Sequence, residues 1–469
     1  MADGASGGTT GSFRRPASDR TRSAPDRTCP GSGSTRPAPG GPPVPPGGGP
    51  GADATRSARR WPDTGPARVA EDWARSGVPV LTGHADGPPL LPPGAAATFA
   101  AWLADHIAAA GAAGFDGARL LAERAALSGR GRQGRRSVGG SCRLLPTRDG
   151  WAAVSDARPD DPLLWSALIG RDLDAGALPA RLAEWLAAHE GDDLDERVGL
   201  LGLAGGSVRP RPERTCPLPG TPRDGAGLLV VDFSALWAGP LCAHLLGAAG
   251  ARVVKVETPS RPDGARFGDP VFYDLLHAGH ASVVLDPMDT RGRAALHELV
   301  GRADVVVEAS RPRALAGFGL DAGAEAARGC VWISVTAHGR AAGRVGFGDD
   351  VAAARGLLGA DAEGLPVFAG DAVADPLTGL LAAALALSER PGGGGAVLDV
   401  SMADVVSACL SVSAGQDARV VGHGDGWLLD TGGTSHPLAA PRPRRPAGSA
   451  PASGADTAAV LRELGIPLP

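Results

Sequence analysis

The chain has 469 residues, which is enough for two or three domains with sizeable cores. Its formal net charge of −5, from 46 basic and 51 acidic residues, argues against nucleic acid or an anionic membrane as the main partner. No apolar run is long enough for a membrane span or a signal-peptide core, and the six cysteines show no CxxC spacing, so the composition favours a protein of the reducing cytoplasm over a membrane, zinc-binding or disulfide-stapled one.

Residues 1–60 consist mainly of Gly, Pro, Ser, Arg and Thr and predict a disordered tail, because such a segment buries too little apolar surface to offset its ordering entropy. In the mixed segment 61–206, apolar residues at helical spacing predict helices over 97–111 and 180–189. The stretch 142–155 predicts two short strands around a turn at Asp149-Gly150, which suits a small α+β domain. A Pro- and Arg-rich linker covers 207–225.

From residue 226 onwards the pattern alternates between apolar strands and amphipathic helices. A nearly continuous apolar run such as LLVVDF is typical of a strand in a parallel sheet that is buried on both faces. Strand, helix, strand in this order predicts a Rossmann-like, doubly wound α/β sheet over 226–415, followed by a tail over 416–469 that ends in a short helix at 457–465. The predicted elements of the sheet domain are strands at 228–233, 252–257, 303–310 and 330–336 and helices at 240–249 and 289–301.

One internal similarity relates residues 86–98 to residues 363–375 without gaps, and each segment leads into an Ala- and Leu-rich helix. Chance is an alternative, since the match is short and biased in composition. If the repeat is real, the first copy carries Thr98 where the second carries Asp375. A hydroxyl group cannot form the acid anhydride that a carboxylate forms, so only the second copy could perform that chemistry.

Asp375 directly precedes Pro376 and an apolar helix. Asp at the N-cap with Pro at the first helical position is a routine start signal, so a capping role is the plain interpretation of Asp375. The functional interpretation is compatible with it. A helix N-terminus favours an ionised carboxylate, which is the form that attacks a thioester.

Two loops are further candidates. The turn Leu236-Trp237-Ala238 follows the first strand of the predicted sheet, where ligands of open α/β sheets bind, although an ordinary loop is the alternative and the turn does not match the GxGxxG motif. Gly139 and Gly140 could present backbone N–H groups to an oxyanion, with a plain turn as the alternative. His277 and His280 lack a third ligand at metal spacing, which disfavours zinc.

Taken together, these segments resemble the class III CoA transferases of the CaiB/BaiF type. Residues 230–266 are similar to the opening strand, AGP turn, helix and VxKVE strand of that family, and 372–387 are similar to the segment with its catalytic aspartate. The further segments that resemble the family in order are SVVLD at 282–286, ADVVVEASRP at 303–312, GFGLD at 317–321 and VLDVSMADVV at 397–406.

The resemblance implies an enzyme that moves coenzyme A between an acyl-CoA and a carboxylic acid, with CoA as substrate and no resident cofactor. It places the nucleophile on Asp375 and oxyanion donors at Gly139 and Gly140. It also implies CoA contacts at Leu236, Trp237, Ala238, Arg266 and His280, with a simple ion pair as the alternative for Arg266.

Residues 139–170 resemble the family's small domain, which normally follows the catalytic helix. We therefore expect either a partial, degenerate copy in front of a fuller one or a permuted order. Since family members are interlocked dimers, the chain is expected to form a homodimer or to imitate one within a single chain.

The sequence also departs from the family. His277-Ala278-Gly279-His280-Ala281 and Glu308-Ala309-Ser310 replace segments that contact CoA in relatives, so a catalytically silent CoA-binding protein is one alternative. Another is a racemase or isomerase with Asp375 as base, but the histidine of a two-base racemase is absent near Asp349-Asp350.

Overall fold

The first half of the described chain is helical and carries a small antiparallel sheet. A computed structural model describes residues 65–174, 176–210, 216–309, 312–390 and 392–469, so the predicted disordered tail lies outside the described residues. Strands β1 and β2 pair from Cys142↔Ser155 to Pro146↔Trp151, which confirms the predicted hairpin. The elements of this half are α1 (Pro66–Ser76), α2 (Ala96–Ala109), α3 (Gly117–Leu120), α4 (Glu123–Ser128), β1 (Cys142–Pro146), β2 (Trp151–Ser155), α5 (Asp161–Ile169), α6 (Leu178–Ala188), α7 (Gly191–Leu201) and β3 (Gly205–Ser207).

A six-stranded parallel sheet follows and confirms the predicted α/β class. The elements of this part of the chain are β4 (Leu229–Asp232), α8 (Ala238–Ala248), β5 (Arg252–Glu257), α9 (Pro270–His277), β6 (Ala281–Val284), α10 (Thr290–Gly301), β7 (Val305–Glu308), α11 (Pro312–Gly317), α12 (Ala322–Arg328), β8 (Val331–Thr336), α13 (Gly348–Ala354), β9 (Leu358–Ala360), β10 (Pro366–Phe368), α14 (Ala374–Ala386), β11 (Ala396–Ser401) and α15 (Met402–Cys409). Strands β9 and β10 form a separate hairpin.

The strand order of the large sheet is β11-β8-β7-β4-β5-β6. The chain builds outward from β4 to β6 and then returns to the other side of β4 to build β7, β8 and β11. This reversal between β4 and β7 is the topological switch point at which open parallel sheets bind ligands. The turn after β4, which includes Trp237, therefore lies beside that switch point.

Alternate residues of the strands enter two cores, one on each face of the sheet. Val230 belongs to the core formed with α2, α8, α14 and α15, whereas Val231 belongs to the core formed with α10, α12 and α16. Because both faces are covered, the strands are apolar at nearly every position, as the LLVVDF run indicated. Helix α14 contacts α8, α2 and α15, so the N-terminal half shares one compact unit with the sheet.

The last part of the chain contains an antiparallel sheet that the sequence analysis did not predict. Its elements are β12 (Arg419–His423), β13 (Gly426–Asp430), β14 (Ser435–Pro437) and the final helix α16 (Thr457–Glu463). Asp456 and Thr457 bond the backbone of β6 at Ser282 and Val284, which covers the edge strand of the large sheet. In the described ranges, no helix combines the length and the apolar character that a membrane crossing requires.

Candidate active site

Asp375 lies inside the first turn of α14 and does not cap it. Val373 holds the N-cap position, and the helix begins at Ala374. The N-cap interpretation is therefore wrong, because a turn at Ala372 (φ 45°) with an Asp375 N–H to Ala372 carbonyl bond of 2.9 Å starts the helix early. Oδ2 of Asp375 instead accepts the backbone N–H of Gly348, the first residue of α13, at 3.2 Å. The carboxylate thus points towards α13.

Further carboxylates surround Asp375. Oδ1 of Asp349 accepts the N–H of Ala372 at 2.8 Å, and Asp371 lies just ahead of α14. Asp350, the neighbour of Asp349 on α13, accepts the hydroxyl of Ser155 at 2.8 Å. This crowding was not predicted, because α13 and α14 meet only in the folded chain.

Burial perturbs the titration of these acids. Burial and, to a smaller extent, the charge of Asp349 raise the pKa of Asp375 to about 7 against the opposing charge of Arg124. Burial together with the charge of Asp371 raises the pKa of Asp349 to about 6. Burial also raises the pKa of Asp350 to about 7. Carboxylic groups that titrate near neutrality in one cluster are typical of sites that transfer protons or attack substrates.

Arg124 of α4 compensates part of this negative charge. Its Nε donates to Oδ2 of Asp371 at 2.9 Å, and its Nη2 donates to Oδ1 of the same carboxylate at 2.5 Å. Its guanidinium carbon lies 4.7 Å from the ring centre of Trp237. The structure therefore brings the turn after β4 to the edge of the carboxylate cluster. Sequence reasoning missed Arg124 and Asp371, since nothing local distinguishes them from surface residues.

Of the two glycines predicted as oxyanion donors, Gly139 lies beside this cluster, whereas the N–H of Gly140 is already engaged in a turn. A Cβ at Gly139 would lie 3.2 Å from Nη2 of Arg124 and 3.8 Å from both Asp349 Oδ2 and Asp371 Oδ1. The N–H of Gly140 donates to the carbonyl of Ser137 at 2.8 Å, so a turn already uses it. The N–H of Gly139 has no hydrogen-bond partner within the described ranges.

The turn after β4 has an unusual backbone. Leu236 adopts a left-handed conformation with φ 72°, and its N–H donates to Oδ1 of Asp263 at 3.0 Å. Its side chain is 45% exposed, whereas Trp237 and Ala238 are buried. Side chains other than glycine adopt this conformation at a cost, and such strain is concentrated at functional sites.

Arg266 and His280 lie apart from the carboxylate cluster. Nη2 of Arg266 donates to Oε2 of Glu257 at 2.6 Å, and its Nη1 donates to the carbonyl of Pro451 at 3.2 Å. An ion pair, the alternative that the sequence left open for Arg266, is what the structure contains. His280 is buried, with its ring centre 5.5 Å from that of His277.

Lys255 is a buried residue that the sequence analysis did not select. Its ammonium lies 3.0 Å from Oδ2 of Asp263 and 3.4 Å from Oδ2 of Asp232, and only 2% of its side chain is exposed. Asp263 also holds the N–H of Leu236, so this ion-pair group fixes the turn after β4. The VxKVE pattern includes Lys255 and could have drawn attention to it, but the pattern does not show that Asp232 and Asp263 are its ion-pair partners.

Comparisons with known proteins identify what part of this chain is similar to characterised families. The family described as "CoA-transferase family III" matches residues 226–442. A succinate–glutarate CoA-transferase of Agrobacterium fabrum is 31% identical over 213 residues, which is 40% of this chain and 52% of that protein. An acetyl-CoA:oxalate CoA-transferase of Acetobacter aceti is 30% identical over 248 residues, which is 49% of this chain and 62% of that protein.

Among solved structures, a CaiB/BaiF family protein from Brucella suis has a TM-score of 0.40 and 26% identity, over 45% of this chain and 66% of that one. This chain spans roughly half to three fifths of the length of the two CoA-transferases described above. The match begins at the first strand of the large sheet and includes Asp375, whereas Arg124 and Gly139 precede it. Residues 226–442, with Asp375 among them, are thus similar to CoA-transferase family III.

Proposed function

We propose that this protein transfers coenzyme A from an acyl-CoA to a carboxylic acid, with Asp375 as nucleophile. The observation that carries the proposal is the position of Asp375 in the family-matched segment. It is a partly accessible carboxylate in the first turn of α14, and its Oδ2 accepts the N–H of Gly348. Such a carboxylate can itself form both the mixed anhydride with the acyl group and the thioester with CoA, so no second nucleophile is needed.

The proposed reaction begins with attack of an Asp375 oxygen on the thioester carbonyl. The C–S bond breaks, CoA thiolate leaves and a mixed anhydride forms. The thiolate then attacks the Asp375 carbonyl, the anhydride C–O bond breaks and the donor acid departs as a carboxylate. The resulting aspartyl-CoA thioester passes through the same two steps in reverse with the acceptor carboxylate, which leaves with CoA and restores Asp375. No net proton is consumed.

Each addition step places negative charge on a carbonyl oxygen. The N–H of Gly139 is the proposed donor to that oxygen, because it lies beside the cluster and the Gly140 N–H is engaged with Ser137. We retain Leu236, Trp237 and Ala238 as the proposed wall of the CoA site, since they lie at the switch point of the sheet. Arg266 and His280 remain proposed contacts of the nucleotide part of CoA. CoA enters as a substrate, and we propose no resident cofactor.

Dicarboxylic acids are the proposed first substrates to test. The relatives described above are named for succinate, glutarate and oxalate, each of which carries two carboxylates. Two arginines at the turn before β1 support an anionic substrate. Arg130 and Arg136 donate to the carbonyls of Gly139 and Gly140 at 2.6 and 2.9 Å, respectively. Positive charge at the mouth of a cleft raises the local concentration of anionic substrates.

The test is trapping of the covalent intermediate. The protein is incubated with succinyl-CoA and hydroxylamine, digested and analysed by peptide mass spectrometry. We expect an aspartyl hydroxamate at Asp375 that is absent from Asp375→Asn and retained in Asp425→Asn, a matched change of an exposed carboxylate. CoA binding without any adduct or transfer across a panel of dicarboxylic acids would instead identify a silent CoA-binding protein.

A second candidate function is proton transfer at the α-carbon of an acyl-CoA. The proximity of Asp349 to Asp375 favours it, because two carboxyl groups with pKa values of about 6 and about 7 could remove and return a proton. Exchange of the α-proton in deuterated water, without any acceptor acid, would support this function. Its absence together with hydroxamate formation would support the transferase.

We also propose a cytoplasmic protein that acts as a homodimer or as a single-chain imitation of one. The five cysteines of the described residues are buried and unpaired, which suits a reducing compartment. The contribution of both Arg124 and Asp375 to one cluster within one chain supports the single-chain arrangement. The mass in solution, measured by light scattering, distinguishes the two forms.

A further inference from the structure

The carboxylates at the site carry more negative charge than a buried cluster tolerates without compensation. Asp349 and Asp371 are 8% and 1% exposed, and Asp375 follows Asp371 and lies in the first turn of α14. An ionised carboxylate in such surroundings loses most of its hydration. A nucleophilic aspartate must nevertheless spend much of its time ionised, since the neutral acid is a poor nucleophile.

The charged groups that face Asp375 come from three parts of the fold. Asp349 lies on α13 and Asp371 lies in the turn before α14, and both disfavour ionisation of Asp375. Arg124 on α4 is the strongest opposing charge, and the same guanidinium acts on Asp349. Asp350 also lies on α13, where the neighbouring charge of Asp349 raises its pKa.

Two contacts fix the position of Arg124. Asp371 accepts two parallel hydrogen bonds from it, which sets both the distance and the plane of the guanidinium. The guanidinium carbon also lies over the ring of Trp237, 4.7 Å from its centre, as cations prefer to lie over an aromatic face. The absence of a side chain at Gly139 lets the guanidinium lie close to this turn, since a Cβ there would be 3.2 Å from Nη2.

We propose that Arg124 is a positioning residue whose guanidinium, held by Asp371 and Trp237 within the carboxylate cluster, keeps the Asp375 carboxylate ionised for attack. The inference rests on the proposed transferase function, because only a nucleophile must be ionised for attack. Its test, a titration of Asp375, does not require transferase activity. Arg124 precedes the family-matched residues 226–442, so the N-terminal half would supply an essential charge to a nucleophile in the other half. The role cannot be read from the family-matched segment alone.

The test compares two variants that break the same ion pair. Protein with ¹³C-labelled aspartate carboxyl groups is titrated by NMR, and the Asp375 signal is assigned from its loss in Asp375→Asn. Arg124→Met removes a positive charge, so the pKa of Asp375 should rise by about 1 unit or more. Asp371→Asn removes a negative charge, so the pKa of Asp375 should fall. Arg124→Lys should restore most of the wild-type value.

A purely structural role predicts the same direction for both variants, because each leaves one buried partner unpaired. Equal directions, or an Asp375 pKa unchanged in Arg124→Met, would overturn the proposal. Arg302→Met, which removes a surface arginine paired with Glu298, controls for the loss of an arginine in general. The acid limb of the trapping rate should move with the measured pKa in each variant. If wild-type protein forms no adduct, the transferase proposal fails, whereas the titration still decides the role of Arg124.

Discussion

The backbone N–H of Gly348 donates to Oδ2 of Asp375 at 3.2 Å, and no side chain would fit between them. A Cβ on Gly348 would lie 2.3 Å from that oxygen and 2.6 Å from the carbonyl of Ala372. Only glycine allows α13 to begin so close to the first turn of α14. The orientation of the proposed nucleophile thus depends on a residue that carries no chemistry of its own.

Gly348→Ala should therefore impair catalysis more than folding. The added methyl group must displace the Asp375 carboxylate or separate the two helices, and a shift of about 1 Å at a reacting atom can cost about 100-fold in rate. The measurement is the rate of hydroxamate formation at Asp375, together with urea unfolding. Gly199→Ala in α7 is the control, since nothing lies within 4 Å of its added Cβ. A Gly348→Ala protein with the wild-type trapping rate would contradict this account of the site.

The rate of adduct formation should increase with pH through a midpoint of about 7. Attack requires the ionised carboxylate, and burial raises the pKa of Asp375 to about 7, so the neutral acid predominates below that pH. Quenched-flow measurement of the acyl-enzyme adduct from pH 5 to pH 9 gives the dependence of the rate on pH. It uses no hydroxylamine, whose own titration would distort the rate. A rate that is constant across this range would show that Asp375 does not titrate there.

Asp350→Asn should stabilise the protein at pH 8 and leave its stability nearly unchanged at pH 4. Burial raises the pKa of Asp350 from 3.8 to about 7, so the folded state favours the neutral acid. The corresponding stability is fully present below pH 3.8 and is lost as the pH rises through about 7. Asparagine never ionises, and its Oδ1 can still accept the Ser155 hydroxyl and the Phe347 N–H.

The gain at pH 8 should therefore approach a few kcal/mol, with roughly 4 kcal/mol as the upper bound. Urea unfolding of both proteins at pH 4, 6 and 8 measures it. The same difference in the free energy of unfolding at all three pH values would mean that Asp350 is ionised in the folded protein.

Leu236→Asn should weaken acyl-CoA binding without a large change in stability. Asparagine tolerates the left-handed backbone at φ 72°, so the turn should persist while the exposed apolar side chain is lost. If Leu236 covers the bound CoA, the loss of its buried surface should raise KM about tenfold. Leu163→Asn, a 69% exposed leucine on α5, should leave KM unchanged. Equal KM values for Leu236→Asn and wild type would remove Leu236 from the proposed wall.

Regular elements could be predicted because their signals are local. The hairpin at Asp149-Gly150 and the parallel strands were confirmed, since alternation and apolar runs report burial directly. The helix start was predicted two residues late, at an Asp375 N-cap instead of Val373, because the left-handed turn at Ala372 leaves no mark on an Asp-Pro pattern. The sheet β12-β13-β14 was missed, since its strands are short and mostly exposed and so lack an apolar alternation.

The sequence by itself determined the α/β class, the resemblance to the family and the choice of Asp375, because strand periodicity and motif order are properties of contiguous residues. The tertiary structure alone decided the surroundings of Asp375. Arg124 and Asp371 are 247 positions apart, and their ion pair exists only because α4 and the turn before α14 meet beside Trp237. Charge compensation depends on distance in space and on dehydration, and neither quantity is encoded in the spacing of residues along a chain.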